Sequence, residues 1–311
     1  MRLKGFLFFF IIVLALTGCG NGESAGTESG EEGLTSTFKE NDQNFEVIHA
    51  YQLFNPYYEE SKSLPKEEVL ALYKSSIIDQ VNDKCFKDGE NIQMAETILN
   101  EEPKNRIAVQ DVIKKIDYAS TNEAVKEALI ESSKLLPSEK DTTVCIFPTN
   151  DSTTLSFSAG SGKIILLYNR NYSPDIIKSA VAHEYYNSVA YEKQLADSTN
   201  VLDQLVNKGK AVMFEKTVFP NFSLTPVDEA FKKEQWAKIE KDLESSDPDR
   251  GNAILKGGAQ VQQLPKSYGA SEGYKMVKAY LDANPDTPIE EWAAKPASEI
   301  FEETDYQANY N

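Results

Sequence analysis

The sequence predicts a mixed α+β protein, mostly helical with one small sheet. Three observations carry this reading: stretches with apolar residues three or four apart, a cluster of short β-prone runs confined to residues 142–168, and a strong helix start directly after them. The helical pattern opens at Leu64–Val81, where Val69, Leu70, Tyr73, Ile77 and Val81 fall on one face. Ala95–Leu99, Ile107–Ile116 and Ala124–Leu136 repeat it. Thr142–Phe147, Thr153–Phe157 and Lys163–Tyr168 then read as short strands, punctuated by Pro148, Asn150, Gly160 and Gly162. Ser173-Pro174-Asp175 supplies a capping hydroxyl, a proline at the first helical position and an acid in the first turn, so a helix is expected from Pro174 to about Glu192. Further helices are expected at Val201–Lys216, Pro226–Leu243, Ser271–Ala283 and Ile289–Trp292.

A chain of 311 residues, 41% hydrophobic, can bury a substantial core. With 49 acidic against 32 basic side chains the net charge is −17, which excludes a phosphate-wrapping surface and hence nucleic acid as a partner. Only two histidines are present, His49 and His183.

Residues 1–18 read as a signal peptide. Arg2 and Lys4 precede the apolar run Phe6–Leu16, which is too short to span a bilayer, and the segment closes on Leu16-Thr17-Gly18-Cys19. The last four residues are similar to the lipobox of bacterial lipoproteins, and the resemblance implies cleavage before Cys19, a lipid (palmitate) on its thiol, and a location on the outer face of the bacterial cell membrane, with the bilayer as partner. An uncleaved anchor or a buried helix is the alternative reading of the apolar run. Cleavage removes Arg2 and Lys4 and takes the net charge to −19, and so acidic a body is repelled by an anionic surface. Residues 19–43, rich in Gly, Ser and Glu, are expected to be the lipidated cysteine and a flexible acidic tether, leaving 44–311 as a single domain. Cys85 and Cys145 remain. A disulfide closing a loop of about 60 residues, with a gain of roughly 4 kcal/mol, and two separate buried thiols are both open readings.

The expected helix 174–192 carries Ala182-His183-Glu184-Tyr185-Tyr186-Asn187. These residues match the first two positions of H-E-x-x-H and depart at the last. In zinc peptidases the two histidines, one helical turn apart, converge on one metal while the glutamate polarises its bound water. Here His183 and Asn187 share that stripe. On the residues alone, His183 reads equally as a hydrogen-bonded core histidine, and Glu184 as its buried ion-pair partner.

The motif helix, following directly on the strand Lys163-Ile-Ile-Leu-Leu-Tyr168, resembles a bacterial domain-of-unknown-function family of predicted zinc-dependent proteases, many of them lipoproteins. Val144–Pro148, Val201–Ala211, Leu264-Pro265-Lys266, Gly273-Tyr274-Lys275-Met276-Val277, Ile289–Trp292 and Ser298–Phe301 agree with it, so the resemblance covers about residues 64–303. It implies a zincin-like metallopeptidase fold with the small sheet beside the motif helix, zinc as cofactor, a histidine at the position of Asn187 and a glutamate at that of Asn207. Both positions hold carboxamides here, which are poor zinc donors, so zinc binding is expected to be lost or weak. Asp203, one turn before Asn207, and Glu272 are acids that an altered, oxygen-rich site would recruit with His183. Glu184 would be the general base of a competent enzyme. Tyr268 and Tyr274 read either as oxyanion donors or as packing aromatics.

Two further signals fail on spacing. Gly160-Ser161-Gly162-Lys163 lacks the remaining phosphate-loop residues, and a calcium loop starting at Asp247 would place Gly258 where a bidentate glutamate is required. The expected function is therefore a surface lipoprotein of a zinc-protease-like family with a degenerate metal site and little or no peptidase activity, whose cleft takes a peptide or protein ligand. Two alternatives stand beside it: an active metallopeptidase with a non-standard ligand set, and an envelope binding protein unrelated to metal chemistry.

Overall fold

The computed structural model describes residues 33–195, 197–258 and 263–310. The expected signal peptide, Cys19 and the tether up to residue 32 lie outside the described residues.

Among the described residues there are five strands: β1 (Thr35–Glu40), β2 (Gln43–Ile48), β3 (Thr142–Pro148), β4 (Ser156–Gly160) and β5 (Lys163–Tyr168). They form one mixed sheet in the order β1-β2-β3-β5-β4. The central strands β3 and β5 pair in parallel, and both β1–β2 and β4–β5 are antiparallel. Parallel central strands are covered on both faces, which is why Val144-Cys145-Ile146 and Ile164-Ile165-Leu166 read as continuous apolar runs and are buried.

The first two strands correct the expected tether. The expected tether runs to residue 43, but the chain is already in the sheet at Thr35. Burial in β1 alternates between exposed and half-buried positions, as an edge strand requires, and its one large apolar side chain, Phe38, stacks on Phe45 of β2 at 5.0 Å between ring centroids. The two-residue turn between the strands places Asn41 at φ 52°, a conformation that asparagine tolerates better than most residues.

Helices fill the rest. Ahead of β3 come α1 (Phe54–Ser61), α2 (Lys66–Tyr73), α3 (Asp79–Cys85), α4 (Glu96–Asn100), α5 (Arg106–Ile113) and α6 (Tyr118–Leu135). A π-helical turn at Lys74–Ile78 joins α2 to α3, so the expected helix over 64–81 is continuous but locally widened. After β5 come α7 (Pro174–Glu192), α8 (Val201–Val218), α9 (Lys233–Trp236), α10 (Pro248–Lys256), α11 (Tyr268–Ala283), α12 (Ile289–Ala294) and α13 (Ala297–Glu303). Together they make an α+β architecture, mostly helical, with the sheet beside α7. No helix among the described residues is long and apolar enough to cross a membrane.

A long helix expected over 226–243 is absent. Only the single turn α9 and a 3-10 turn at Glu240–Asp242 form there; residues 228–234 are exposed and touch the fold through single side chains such as Phe231, whose ring meets those of Tyr306 and Tyr310. The segment is held instead by Trp236, which stacks on Tyr310 with ring centroids 4.7 Å apart.

Three features fix the motif helix. Ser173 caps it, its side chain accepting from the Ile176 amide, and Pro174 occupies the first turn. Ser188, on its last turns, accepts from the Gly162 amide at 2.7 Å, pinning the β4–β5 turn to the helix. Helix α7 also packs against β4, β5, α6 and α8. Helix α8 is positioned in turn by α11, which it crosses backbone to backbone at Gly209 and Gly273. A Cβ on Gly209 would stand 2.0 Å from the Gly273 carbonyl carbon, and one on Gly273 would stand 1.8 Å from the Leu205 oxygen. Cys85 and Cys145 are bonded, joining the end of α3 to β3. A closed loop of 60 residues removes roughly 4 kcal/mol of freedom from the unfolded chain.

Gly273→Ala should therefore force α8 and α11 apart, since the obstructing atoms are backbone. A loss of about 3 kcal/mol, the upper end of the usual overpacking cost, is expected in urea unfolding; a change within experimental error would mean that the crossing is loosely held.

Candidate metal centre and cleft

His183 and Glu184 sit in the middle of α7, where nearly every side chain is buried. The imidazole reaches across to α8. Its Nδ1 lies 3.1 Å from Oε2 of Glu215, a carboxylate with no exposed surface. Burial pushes the Glu215 pKa up, but the hydrogen bond and charge of His183, together with the amide and hydroxyl of Thr225, more than offset this and hold it below the usual carboxylate range. The Leu224 amide (2.6 Å) and Thr225 amide (3.2 Å) donate to its Oε1, as does the Ser223 hydroxyl at 3.3 Å, and the Thr225 hydroxyl donates to Oε2 at 3.0 Å. An ionised carboxylate only accepts, so the shared proton belongs to Nδ1.

That leaves Nε2 as the acceptor, and it has a partner. The Lys208 ammonium nitrogen lies 3.0 Å away. An ammonium has three donors and no acceptor, so the imidazole lone pair that a metal would use accepts from a cation of the same chain.

Glu184 is also buried, and both its oxygens are engaged: Ser156 of β4 donates to Oε1 at 3.0 Å and the Asn187 amide to Oε2 at 2.9 Å. Asn187 thus turns back along its own helix. Asn207 donates to the Ser198 hydroxyl at 3.1 Å. Glu184, Asn187, Asn207, Lys208 and Ser156 line one open cleft of about 300 Å³, with Tyr191 on its wall.

The acids considered as substitutes lie elsewhere. Asp203 is in the first turn of α8, where its Oδ2 accepts from the Thr199 amide at 2.9 Å and hydroxyl at 2.7 Å. Those bonds satisfy the start of the helix, so the carboxylate is not turned into the cleft. Glu272 is buried on α11 with Lys275 at 2.9 Å, the Tyr306 hydroxyl at 2.7 Å and the Tyr310 hydroxyl. Of the two tyrosines considered as oxyanion donors, Tyr268 is buried and Tyr274 lies under the Lys216 ammonium at 5.5 Å; neither lines the cleft. His49 is fully buried between the ring of Tyr118 at 4.3 Å and the Asn122 carboxamide at 3.3 Å.

A family model described as "Predicted Zn-dependent protease (DUF2268)" matches residues 121–302. The chain belongs to this family. The match runs from α6 to α13 and leaves β1, β2 and α1 to α5 outside it. No curated protein and no solved structure matches the chain.

The family's description names zinc, and the donors in this chain do not fit that ion. Among the described residues no three His, Cys, Asp or Glu side chains are grouped so as to hold a metal. The free imidazole nitrogen of His183 already accepts from an ammonium, and the Glu184 carboxylate accepts from Ser156 and Asn187. The two carboxamides at the positions where the resemblance implies zinc ligands use their N–H groups on Glu184 and Ser198.

Sequence reasoning missed Lys208 and Glu215. Glu215 left a signal, being the one charge between Lys210 and Lys216 in the otherwise apolar run Ala211-Val-Met-Phe. Lys208 left none beyond standing next to Asn207.

His49 generates a pH prediction. Burial, partly offset by Asn122, lowers its pKa from 6.5 to about 4. The unfolded chain then binds the extra proton first, so this contribution to stability is fully present above pH 6.5 and is lost as pH falls toward 4. In urea unfolding, the wild type should lose about 3 kcal/mol more than a His49→Gln variant across that window. Parallel pH profiles for the two proteins would refute it.

Proposed function

We propose that this member of the family is a lipid-anchored protein of the outer bacterial cell surface whose metal site is degenerate, with little or no peptidase activity and with the cleft kept for binding a peptide or protein. The observation that carries this reading is the use of the side chains in the cleft. Asn187 and Asn207 offer only neutral carboxamide oxygens, their N–H groups donating to Glu184 and Ser198, and Glu184 is held by Ser156 and Asn187. A general base also needs a polarised water to act on, and the positions that would hold the polarising metal carry carboxamides. Losing even a partner of a metal ligand typically weakens binding about 10–100-fold, and two ligand positions themselves are changed. The anchor rests on Leu16-Thr17-Gly18-Cys19 after a short apolar run, and a disulfide between Cys85 and Cys145 suits an oxidising exterior.

Three measurements test it. The purified full-length protein should carry zinc far below stoichiometry, and near-stoichiometric zinc lost on His183→Ala would overturn the degenerate site. Glu184→Gln should leave any peptide cleavage by the preparation unchanged, whereas loss of a chelator-sensitive activity would identify an active peptidase. Cys19→Ala should abolish incorporation of labelled palmitate and release the protein from the membrane fraction; retention of both would refute the anchor.

A further inference from the structure

The asparagines at the ligand-like positions explain weak metal binding but not what satisfies His183. A metal-binding histidine typically donates its second ring N–H to a carboxylate, which fixes the tautomer and aims the free lone pair. His183 keeps that half of the arrangement intact through Glu215, at 3.1 Å and without exposure to water. The lone pair so aimed meets the Lys208 ammonium at 3.0 Å, and Lys208 lines the cleft. Lys208 is otherwise an exposed residue of α8, free to extend into water, and no described carboxylate lies within ion-pair distance of its Nζ. Its position follows from the helices. Lys208 adjoins the Gly209–Gly273 crossing, and Glu215 stands on the same helix two turns later, so one element delivers both partners of the imidazole.

We infer that Lys208 is the resident cation of this site, its ammonium taking the position on His183 Nε2 that a metal ion would otherwise need. This inference deepens the proposed function and rests on it: the site is then a neutral imidazole between a buried carboxylate and a tethered positive charge, complete without any ion from solution. Only one of the three ammonium N–H bonds is used by the imidazole, so the others serve oxygen acceptors, such as peptide carbonyls, of a ligand in the cleft. A divalent ion arriving at Nε2 would have to displace the ammonium and then sit beside its charge, which opposes binding even where the ligands are good.

The test restores the ligands and varies the lysine. Zinc affinity is measured by competition with a chromophoric chelator for full-length Asn187→His/Asn207→Glu protein with Lys208 present, with Lys208→Met and with Lys208→Arg. Removing the ammonium should raise zinc affinity about tenfold or more, the worth of one hydrogen bond to a charged donor, and arginine should keep affinity near that of the lysine form. In otherwise wild-type protein, Lys208→Met should also shift the His183 ¹⁵Nε2 resonance while Nδ1 stays protonated. Equal zinc affinities with and without the ammonium, or an unmoved resonance, would overturn the assignment. The zinc content of the wild type reports separately: stoichiometric zinc there would sink the degenerate-site reading, whatever the lysine variants do.

Discussion

A carboxylate with no access to water has to be compensated completely, and Glu215 is the constraint around which this site is organised. Its oxygens take two amides and two hydroxyls from residues 223–225 and the imidazole of α7. Those bonds commit three stretches of chain at once: the end of α8, the turn that leaves it and the middle of α7. Replacing any one of them would strand part of a buried charge. The orientation of His183 is thus a consequence of desolvation, and the chemical state of Nε2 follows from it.

The close approach of α8 to its neighbours comes from a different source. Gly209 and Gly273 bring two helix backbones into contact, and only residues without a side chain permit this. That contact sets how far Lys208 stands from α7. The polar arrangement in the cleft therefore depends on an apolar, purely steric fit on an adjacent face of the same helix.

The start of helix α7 was legible because its signals are local: Ser173 caps it, Pro174 takes its first position and Asp175 its first turn. The central strands were legible for a similar reason, since burial on both faces leaves a continuous apolar run. β1 and β2 were not. Thr35-Ser-Thr-Phe-Lys-Glu looks like linker because an edge strand buries little, and it forms only through pairing with β2, which itself pairs with a strand about a hundred residues away. The expected helix over 226–243 failed in the opposite direction, its apolar residues being used one at a time as anchors, as Trp236 is on Tyr310. In the site, His183 and Glu184 were found because they are adjacent in sequence. Lys208 and Glu215 meet His183 only through the packing of α7 on α8, and no spacing rule within one helix encodes a contact between two.

The bond between Cys85 and Cys145 ties two distant parts of the chain together. Cys85 belongs to the front section outside the family match, and Cys145 lies in a central strand inside it. A single proteolytic cut anywhere from 86 to 144 would open the ring without releasing either piece, so the front section stays attached through a nick that would otherwise shed it. Damage in that stretch becomes a local scar instead of a loss.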